Sequence, residues 1–301
     1  MPLAFNLIPK SSKGEKVKLY NIAGINFKIT GQEYSYYLNR MKEYSCTENS
    51  EYDVWIDFSV SDSLKLPQGK IISSMHHWEW LQNDKGYTAF QKHPVTGELL
   101  SLIEADRQWQ NVRLRLVDFE NDFDITLDRR AFVAIGNIFI YSVLRRGGLM
   151  LHSSAISYKG KGVLFSAPSG TGKSTHTSLW QKYYDDTIII NDDMPAIVFN
   201  GDEPIAFGTP WSGKTDINCN KNAPLAAIVF LERGESCSIS RISGVMALSR
   251  LLSELRKSLY PEMMDICLDA VDKLLGAVPI YLLRCDISKD AVDIVKNTIF
   301  D

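Results

Sequence analysis

The sequence has no Cys-x-x-Cys pair. Its five cysteines (Cys46, Cys219, Cys237, Cys267 and Cys285) are scattered through 301 residues. That spacing argues against zinc and against a disulfide framework, and it implies reduced, mostly buried thiols in a cytoplasmic protein. Basic excess is also missing. Lys plus Arg number 33 against 36 Asp plus Glu, so the net charge is −3. Nothing in that balance asks for nucleic acid, and no block of like charge forms an interaction tail. A membrane span is equally absent. The most apolar long stretch, Ala131 to Leu144, contains Asn137 and falls short of the roughly 20 residues a span requires, so it reads as a buried helix. Met1 to Lys10 lacks a basic start followed by an apolar core, so it does not read as a signal peptide. No internal repeat or low-complexity segment is evident. The remaining composition, 45% hydrophobic and 23% charged, predicts a packed core in one large domain or two modest ones.

One stretch stands out against this background. Gly162 to Ser166 is a short apolar run that reads as a buried strand. Ala167-Pro168-Ser169-Gly170-Thr171-Gly172-Lys173-Ser174-Thr175 follows, and His176 to Tyr184 continues as a helix. A strand, a small-residue loop ending in Gly-Lys-Ser and then a helix form the context of a phosphate-binding P-loop. Ser169, Gly170, Thr171, Gly172, Lys173, Ser174 and Thr175 are the expected nucleotide contacts. Lys173 would meet the β and γ phosphates, and the Ser174 hydroxyl would sit on Mg²⁺. The usual pattern opens with Gly, whereas Ala167 stands there in this chain.

Two further stretches fit the same site. Thr187 to Ile190 reads as a buried strand that delivers Asn191-Asp192-Asp193. Paired carboxylates after such a strand divide the work, one holding metal and the other accepting a proton. Ala206 to Thr215 reads as a loop carrying Trp211, Ser212 and Lys214, able to close over phosphate or hold a substrate. Arg250 and Arg256 are candidate phosphate contacts, although a solvated helix face is their default role.

Residues 1–125 read as a separate α+β region with an antiparallel sheet. Strands are expected at Val17–Tyr20, Ile25–Ile29, Asp53–Val60, Ile71–Trp80, Tyr87–Lys92, Leu99–Glu104 and Val112–Val117, with a short helix in Gln32–Tyr44. His76 and His77 are neighbours on a strand, so they face opposite sides and do not chelate one ion. The second domain is expected over 126–301. Its opening helix ends at Arg145-Arg146-Gly147-Gly148 and is capped by Thr126 or Asp128. A hairpin then places His152 on the strand beside the one that feeds the loop. Strands are expected at Pro224–Leu231, Ser238–Ile242 and Pro279–Arg284, and helices at Gly244–Leu259, Met263–Leu275 and Asp290–Phe300.

His152, the Gly160-Lys161-Gly162 turn, Ser169-Gly170-Thr171-Gly172-Lys173-Ser174 and Asn191-Asp192-Asp193 together resemble the catalytic domain of HPr kinase/phosphorylase, whose nucleotide-binding fold is shared with phosphoenolpyruvate carboxykinases. The similarity covers about residues 148–300 and is sharp from Leu151 to Pro195. The chain looks more like HPr-kinase-like proteins with a Gly-Thr/Ser-Pro-Trp-Ser-Gly segment, here Gly208 to Gly213, some of them associated with peptide natural-product maturation. The Met-Glu-Ile-Arg-Gly-Leu-Gly-like segment of HPr kinases is absent, and Trp211 to Lys214 stands near its place. The resemblance implies ATP and Mg²⁺ as cofactors, Asp192 as the base toward an acceptor hydroxyl, and His152 close to the transferred phosphoryl; Asp193, which points to the other side of the strand end, is then the expected metal ligand, and the pair fits the reverse assignment equally. The expected activity is an ATP-dependent hydroxyl kinase acting on a serine of a peptide or small protein, or on a small molecule. A nucleotide-binding regulatory or scaffold module is the second reading. A carboxykinase-like decarboxylase lacks its extra metal ligands and anion-binding arginine in this sequence. Neither nucleic acid nor membrane is expected as a partner, and a homo-oligomer is compatible with the sequence.

Overall fold

The computed structural model describes residues 16–47, 51–75, 78–84, 86–119, 126–258 and 260–301. The expectations for Met1 to Lys10 and for His76-His77 lie outside these residues. The chain forms two compact units, Met1–Ser142 and Val143–Asp301. Both are mixed α/β structures built on large mixed sheets.

The first unit contains Val17–Ile22 (β1), Ile25–Gly31 (β2), Ser35–Met41 (α1), Val54–Ser61 (β3), Lys70–Met75 (β4), Trp78–Asn83 (β5), Gly86–Lys92 (β6), Leu99–Asp106 (β7), Asn111–Val117 (β8) and most of Leu127–Arg145 (α2). Its strand order is β1-β2-β3-β8-β7-β6-β5-β4. The purely antiparallel sheet expected from short turns is corrected here, because β3 runs parallel to both β2 and β8. The chain between β2 and β3 passes through α1, and such a crossover lets the next strand run the same way. The single strand expected over Ile71–Trp80 is two strands, β4 and β5, paired antiparallel.

Alternation drives burial. In β3, Val54, Ile56 and Phe58 are buried, and in β8 Val112, Leu114 and Leu116 are, while Arg113 and Arg115 face outward toward Glu104. The helix α2 covers this sheet. Phe139 packs on Phe27 with ring centroids 5.7 Å apart, and Tyr141 stacks on Trp109 at 4.5 Å. Those contacts explain why the units divide at Ser142/Val143 rather than near residue 125. The cap of α2 is Thr126, whose hydroxyl accepts the Arg129 N–H at 3.3 Å. Asp128 does other work, accepting the N–H groups of Tyr36 and Tyr37 at the start of α1 at 2.7 and 3.2 Å. Among the described residues no helix is long and apolar enough to cross a membrane.

The second unit contains Leu149–Met150 (β9), Ser153–Tyr158 (β10), Lys161–Ser166 (β11), Lys173–Tyr183 (α3), Thr187–Asn191 (β12), Ala196–Asn200 (β13), Glu203–Phe207 (β14), Asn222–Arg233 (β15), Ser238–Ile242 (β16), Gly244–Glu254 (α4), Pro261–Ala277 (α5), Ile280–Cys285 (β17) and Lys289–Ile299 (α6). The strands β11, β15 and β17 run parallel to one another. Their apolar residues Val163, Leu164, Phe165, Ala227, Ile228 and Val229 are buried on both faces, as parallel strands between helices require. The strand β10 pairs antiparallel with β11, β12 lies beyond it and pairs antiparallel with β10, and β16 closes the other side on β17. The helix expected over Gly244–Leu259 stops at Glu254.

Trp180, fully buried on α3, anchors that helix in the core with Tyr158, Phe165, Val292 and Val295. Its indole N–H donates to His176 Nε2 at 3.3 Å. Burial pushes the His176 pKa down from 6.5 to about 4, so the folded chain keeps this imidazole neutral. The unfolded chain takes up a proton below pH 6.5 and the folded chain does not, so stability falls as pH falls through that window. The gap between 6.5 and about 4 corresponds to up to about 3 kcal/mol. Urea unfolding should show this loss between pH 6.5 and about 4, and His176→Gln should flatten that part of the profile. An unchanged slope in His176→Gln would assign the pH dependence to other groups.

Candidate functional site

All of the chemistry singled out in the sequence belongs to the second unit, at one end of its parallel strands. The strand β11 ends at Ser166, the loop runs from Ala167 to Gly172, and α3 starts at Lys173. Gly170 and Gly172 have φ of +80° and +117°, a backbone conformation that a side chain disfavours. Ala167 needs no such conformation, since it is not among the positive-φ residues, so the departure from Gly there costs nothing. Gly172 is the N-cap of α3, and no side chain caps that end. The first-turn N–H groups of α3 therefore have no side-chain acceptor, which suits the approach of an anion.

Lys173 is 7% exposed, and its Nζ donates to the Ala167 carbonyl at 2.8 Å. Burial draws its pKa down, while the negative charges of Glu254, Asp193 and Asp192 act in the opposite direction. Ser169 and Thr175 are exposed and Thr171 is half-buried. The Gly170 carbonyl accepts from Arg233 Nη2 at 2.6 Å, a contact from the end of β15 that the spacing did not suggest.

The carboxylates come from the end of β12, and Asn191 sets the turn. Its Oδ1 accepts the N–H groups of Asp193 and Met194 at 2.9 and 2.7 Å, and its Nδ2 donates to the Thr209 carbonyl at 2.8 Å. Asp192 is 5% exposed. Ser154 donates to its Oδ1 at 2.7 Å and Thr215 to its Oδ2 at 2.8 Å. With its own proton given to Asp192, Ser154 accepts from Thr177 Oγ1 of α3 at 2.9 Å. The carboxylate of Asp192 is thereby tied to α3. Asp193 is the more open of the pair, with one third of its side chain exposed.

His152 lies in the bend between β9 and β10, not on a strand as its spacing suggested. Its Nδ1 is 2.8 Å from Glu254 Oε2 and its Nε2 is 3.4 Å from Asp193 Oδ1. The His152 N–H also donates to the Glu254 carbonyl at 3.0 Å. Glu254, at the end of α4, is a site residue that sequence reasoning missed, as are Arg233, Ser154 and Thr215. Glu254 is 102 positions from His152, and no motif signals it.

The loop after β14 closes over the same carboxylates. Thr215 holds Asp192, and Gly213, with φ of +66°, lies against Asp193, where a Cβ would meet the carboxylate carbon at 3.1 Å. Ser212 is buried and its Oγ accepts from Asn218 at 2.8 Å, while Trp211 is half-buried. Lys214 is exposed. Arg250 pairs with Glu232, which leaves its guanidinium committed to an ion pair, and Arg256 is exposed. The geometry therefore gathers Lys173, Asp192, Asp193, His152 and the 209–215 loop. It does not bring Arg250 in as a free phosphate contact.

The donors near the loop are hard oxygens (Asp192, Asp193 and Ser174), the type that Mg²⁺ takes. Among the described residues no group of three or more His, Cys, Asp and Glu is placed to enclose a metal ion. An ion completed by waters and substrate phosphates needs no such cage.

Residues 130–300, more than half of the chain, match the family described as SynChlorMet cassette protein ScmC. The chain belongs to that family. Among solved structures, the Hpr(Ser) kinase/phosphatase from Coxiella burnetii is similar over 49% of this chain and 86% of its own, at 11% identity and a TM-score of 0.30. No curated protein matches the chain.

Proposed function

We propose that this member of the ScmC family is an ATP-dependent phosphotransferase, moving the γ-phosphoryl to a hydroxyl of a peptide, small protein or small molecule. The observation that carries this reading is the meeting of a buried lysine, an uncapped helix start behind a glycine-rich loop, and two adjacent carboxylates of unequal exposure. In the proposed reaction the acceptor oxygen forms a bond to the γ-phosphorus as the bond to the β–γ bridging oxygen breaks. The hydroxyl proton passes to a carboxylate, and ADP leaves. The P-loop N–H groups and Lys173 hold the phosphates in line. Mg²⁺, when bound, would offset charge on the β and γ oxygens.

The family resemblance implied Asp192 as base, and the alternation at the strand end then left Asp193 as metal ligand. We assign the roles the other way round. Both oxygens of Asp192 are held by hydroxyl donors in a buried position, while Asp193 is the more open of the two, which supports Asp192 on the metal side and leaves Asp193 to meet the acceptor. Asp193 is open, and His152 beside it offers the proton an onward path toward Glu254. The 209–215 loop, packed on both carboxylates, is our candidate for acceptor contact, with Lys214 exposed, Trp211 half-buried and Ser212 buried beneath them.

A nucleotide-binding module without transfer is the second reading, favoured by the two hydroxyl donors that hold the buried Asp192 carboxylate in place. Incubation of the full chain with γ-labelled ATP, serine-containing peptides and small alcohols separates the two. The transferase reading expects label on an acceptor or released to water, lowered by Lys214→Ala more than ATP binding is. ATP that binds and keeps its γ-phosphoryl with every acceptor favours the module.

A further inference from the structure

Two of the five cysteines face each other at one end of the parallel strands. The strand β17 lies between β15 and β16, pairing parallel with the first and antiparallel with the second. The turn from Gly234 to Cys237 therefore passes over the end of β17, and the Gly234 N–H donates to the Cys285 carbonyl at 3.0 Å. The register pairs Ser238 with Arg284, so the next step sets Cys237 opposite Cys285. Side-chain alternation agrees. Leu283 and its partner Ile239 face the core shared with α3 and α6, and Cys285 and Cys237 lie two residues further along on that face. Residues opposed across antiparallel strands have Cα atoms about 4.5 or 5.5 Å apart, inside the span of about 4.4–6.8 Å that a disulfide bridges. Both thiols are free and half-buried.

We propose that Cys237 and Cys285 form a reversible disulfide by exchange with a low-molecular-weight disulfide, an inference independent of the phosphate-binding reading. The Cys237 sulfur attacks one sulfur of the oxidant as a thiolate. The oxidant's S–S bond breaks, and one small thiol leaves with the proton that Cys237 lost. The Cys285 thiol then gives up its proton and attacks the Cys237 sulfur, which expels the second small thiol. Two protein thiols are oxidised to one disulfide while one disulfide is reduced to two thiols, so no other reactant is needed. The surroundings set the order. Burial, and then the nearby Cys237 and Asp286, push the Cys285 pKa up to about 11, so this group stays a thiol at neutral pH and the opening attack falls to Cys237. Once the mixed disulfide exists, the strand register holds Cys285 against it, and that proximity offsets the high pKa. The place of the bond ties it to the rest of the unit. Arg233, the neighbour of Cys285 on β15, donates to the Gly170 carbonyl. Cys285 also lines a cavity of about 620 Å³ that Gly170, Thr171 and Gly172 border. The disulfide would therefore form where the glycine-rich loop is anchored.

The test incubates the full chain with glutathione disulfide under native, mildly alkaline conditions and reads intact mass and a non-reducing peptide map. The wild-type chain should lose the mass of two hydrogens, yield a peptide linking Cys237 to Cys285, and regain both thiols in dithiothreitol. Cys285→Ser should stop halfway, with one glutathione held on Cys237. In Cys237→Ser, glutathione should reach Cys285 at least about tenfold more slowly than it reaches Cys237 in Cys285→Ser, since the thiolate is the attacking form. Circular dichroism checks that both variants fold, and the wild-type map decides the proposal without them. A wild-type chain that keeps glutathione on Cys237 with no link, links a different pair, or leaves both thiols free overturns the proposal. Equal rates at the two cysteines in the variants overturn the order of attack. None of these readouts involves nucleotide, so failure here leaves the phosphate-binding reading standing.

Discussion

Replacing Asp193 with Asn is expected to cut γ-phosphoryl transfer by about 10²–10⁴-fold, the usual contribution of a general base, while Mg·ATP affinity changes little. An acceptor hydroxyl is a weak nucleophile at neutral pH, and asparagine keeps the size of the side chain but cannot take its proton. Asp193 has the exposure to meet an acceptor, and His152 Nε2 at 3.4 Å is placed to receive what it gathers. Asp192→Asn should act differently. Its carboxylate is buried and bonded to Ser154 and Thr215, whose hydroxyls can turn to meet an amide. That variant should fold and show a raised Mg²⁺ requirement. Paired measurement of transfer and of Mg²⁺ dependence reads both effects. If Asp192→Asn loses transfer and Asp193→Asn loses metal, the order implied by the family resemblance holds instead. If neither changes transfer, the carboxylate pair is not the proton acceptor.

The local parts of this site were legible in the sequence and its long-range parts were not. Strand, loop and helix around Lys173 are contiguous, so composition and glycine placement signalled them. The strand that delivers Asp192 and Asp193 was legible for the same reason. Glu254 could not be found in this way, because a single glutamate at the end of a helix looks like ordinary surface charge until folding brings it to His152. Arg233 was hidden likewise at the end of an apolar strand. In the first unit, turn spacing gave the strands but not their direction. The parallel alignment of β2 with β3 depends on where the chain goes after α1, which periodicity does not record. The allegiance of α2 was also unreadable. A helix with Ala131, Phe132, Ile135, Ile138 and Phe139 all buried suits either sheet, and folded contacts such as those of Arg130, Phe139 and Tyr141 place it on the first.

Lys173 carries the largest effect expected of any single side chain. Its ammonium is the one cation that the loop itself supplies, it is buried, and three carboxylates act on it. Lys173→Ala should abolish detectable transfer and weaken Mg·ATP by tenfold or more, about 1.4 kcal/mol or above. The substitution also removes the donor to the Ala167 carbonyl, a loss of about 1–3 kcal/mol if that oxygen stays buried and unpaired. Lys173→Met keeps most of the packed stem and separates the charge from the packing. Loss of ATP affinity in both variants, with thermal unfolding of the Met variant near that of the wild type, assigns the effect to the ammonium.

Titration of the full-length chain with ATP by calorimetry, with and without Mg²⁺, tests the central claim most directly, with Lys173→Met as the matched control. The account predicts one Mg²⁺-dependent site per chain, displaced by tripolyphosphate and weakened at least about tenfold in the control. Absence of binding, or equal affinity in the wild-type and Lys173→Met chains, would contradict it.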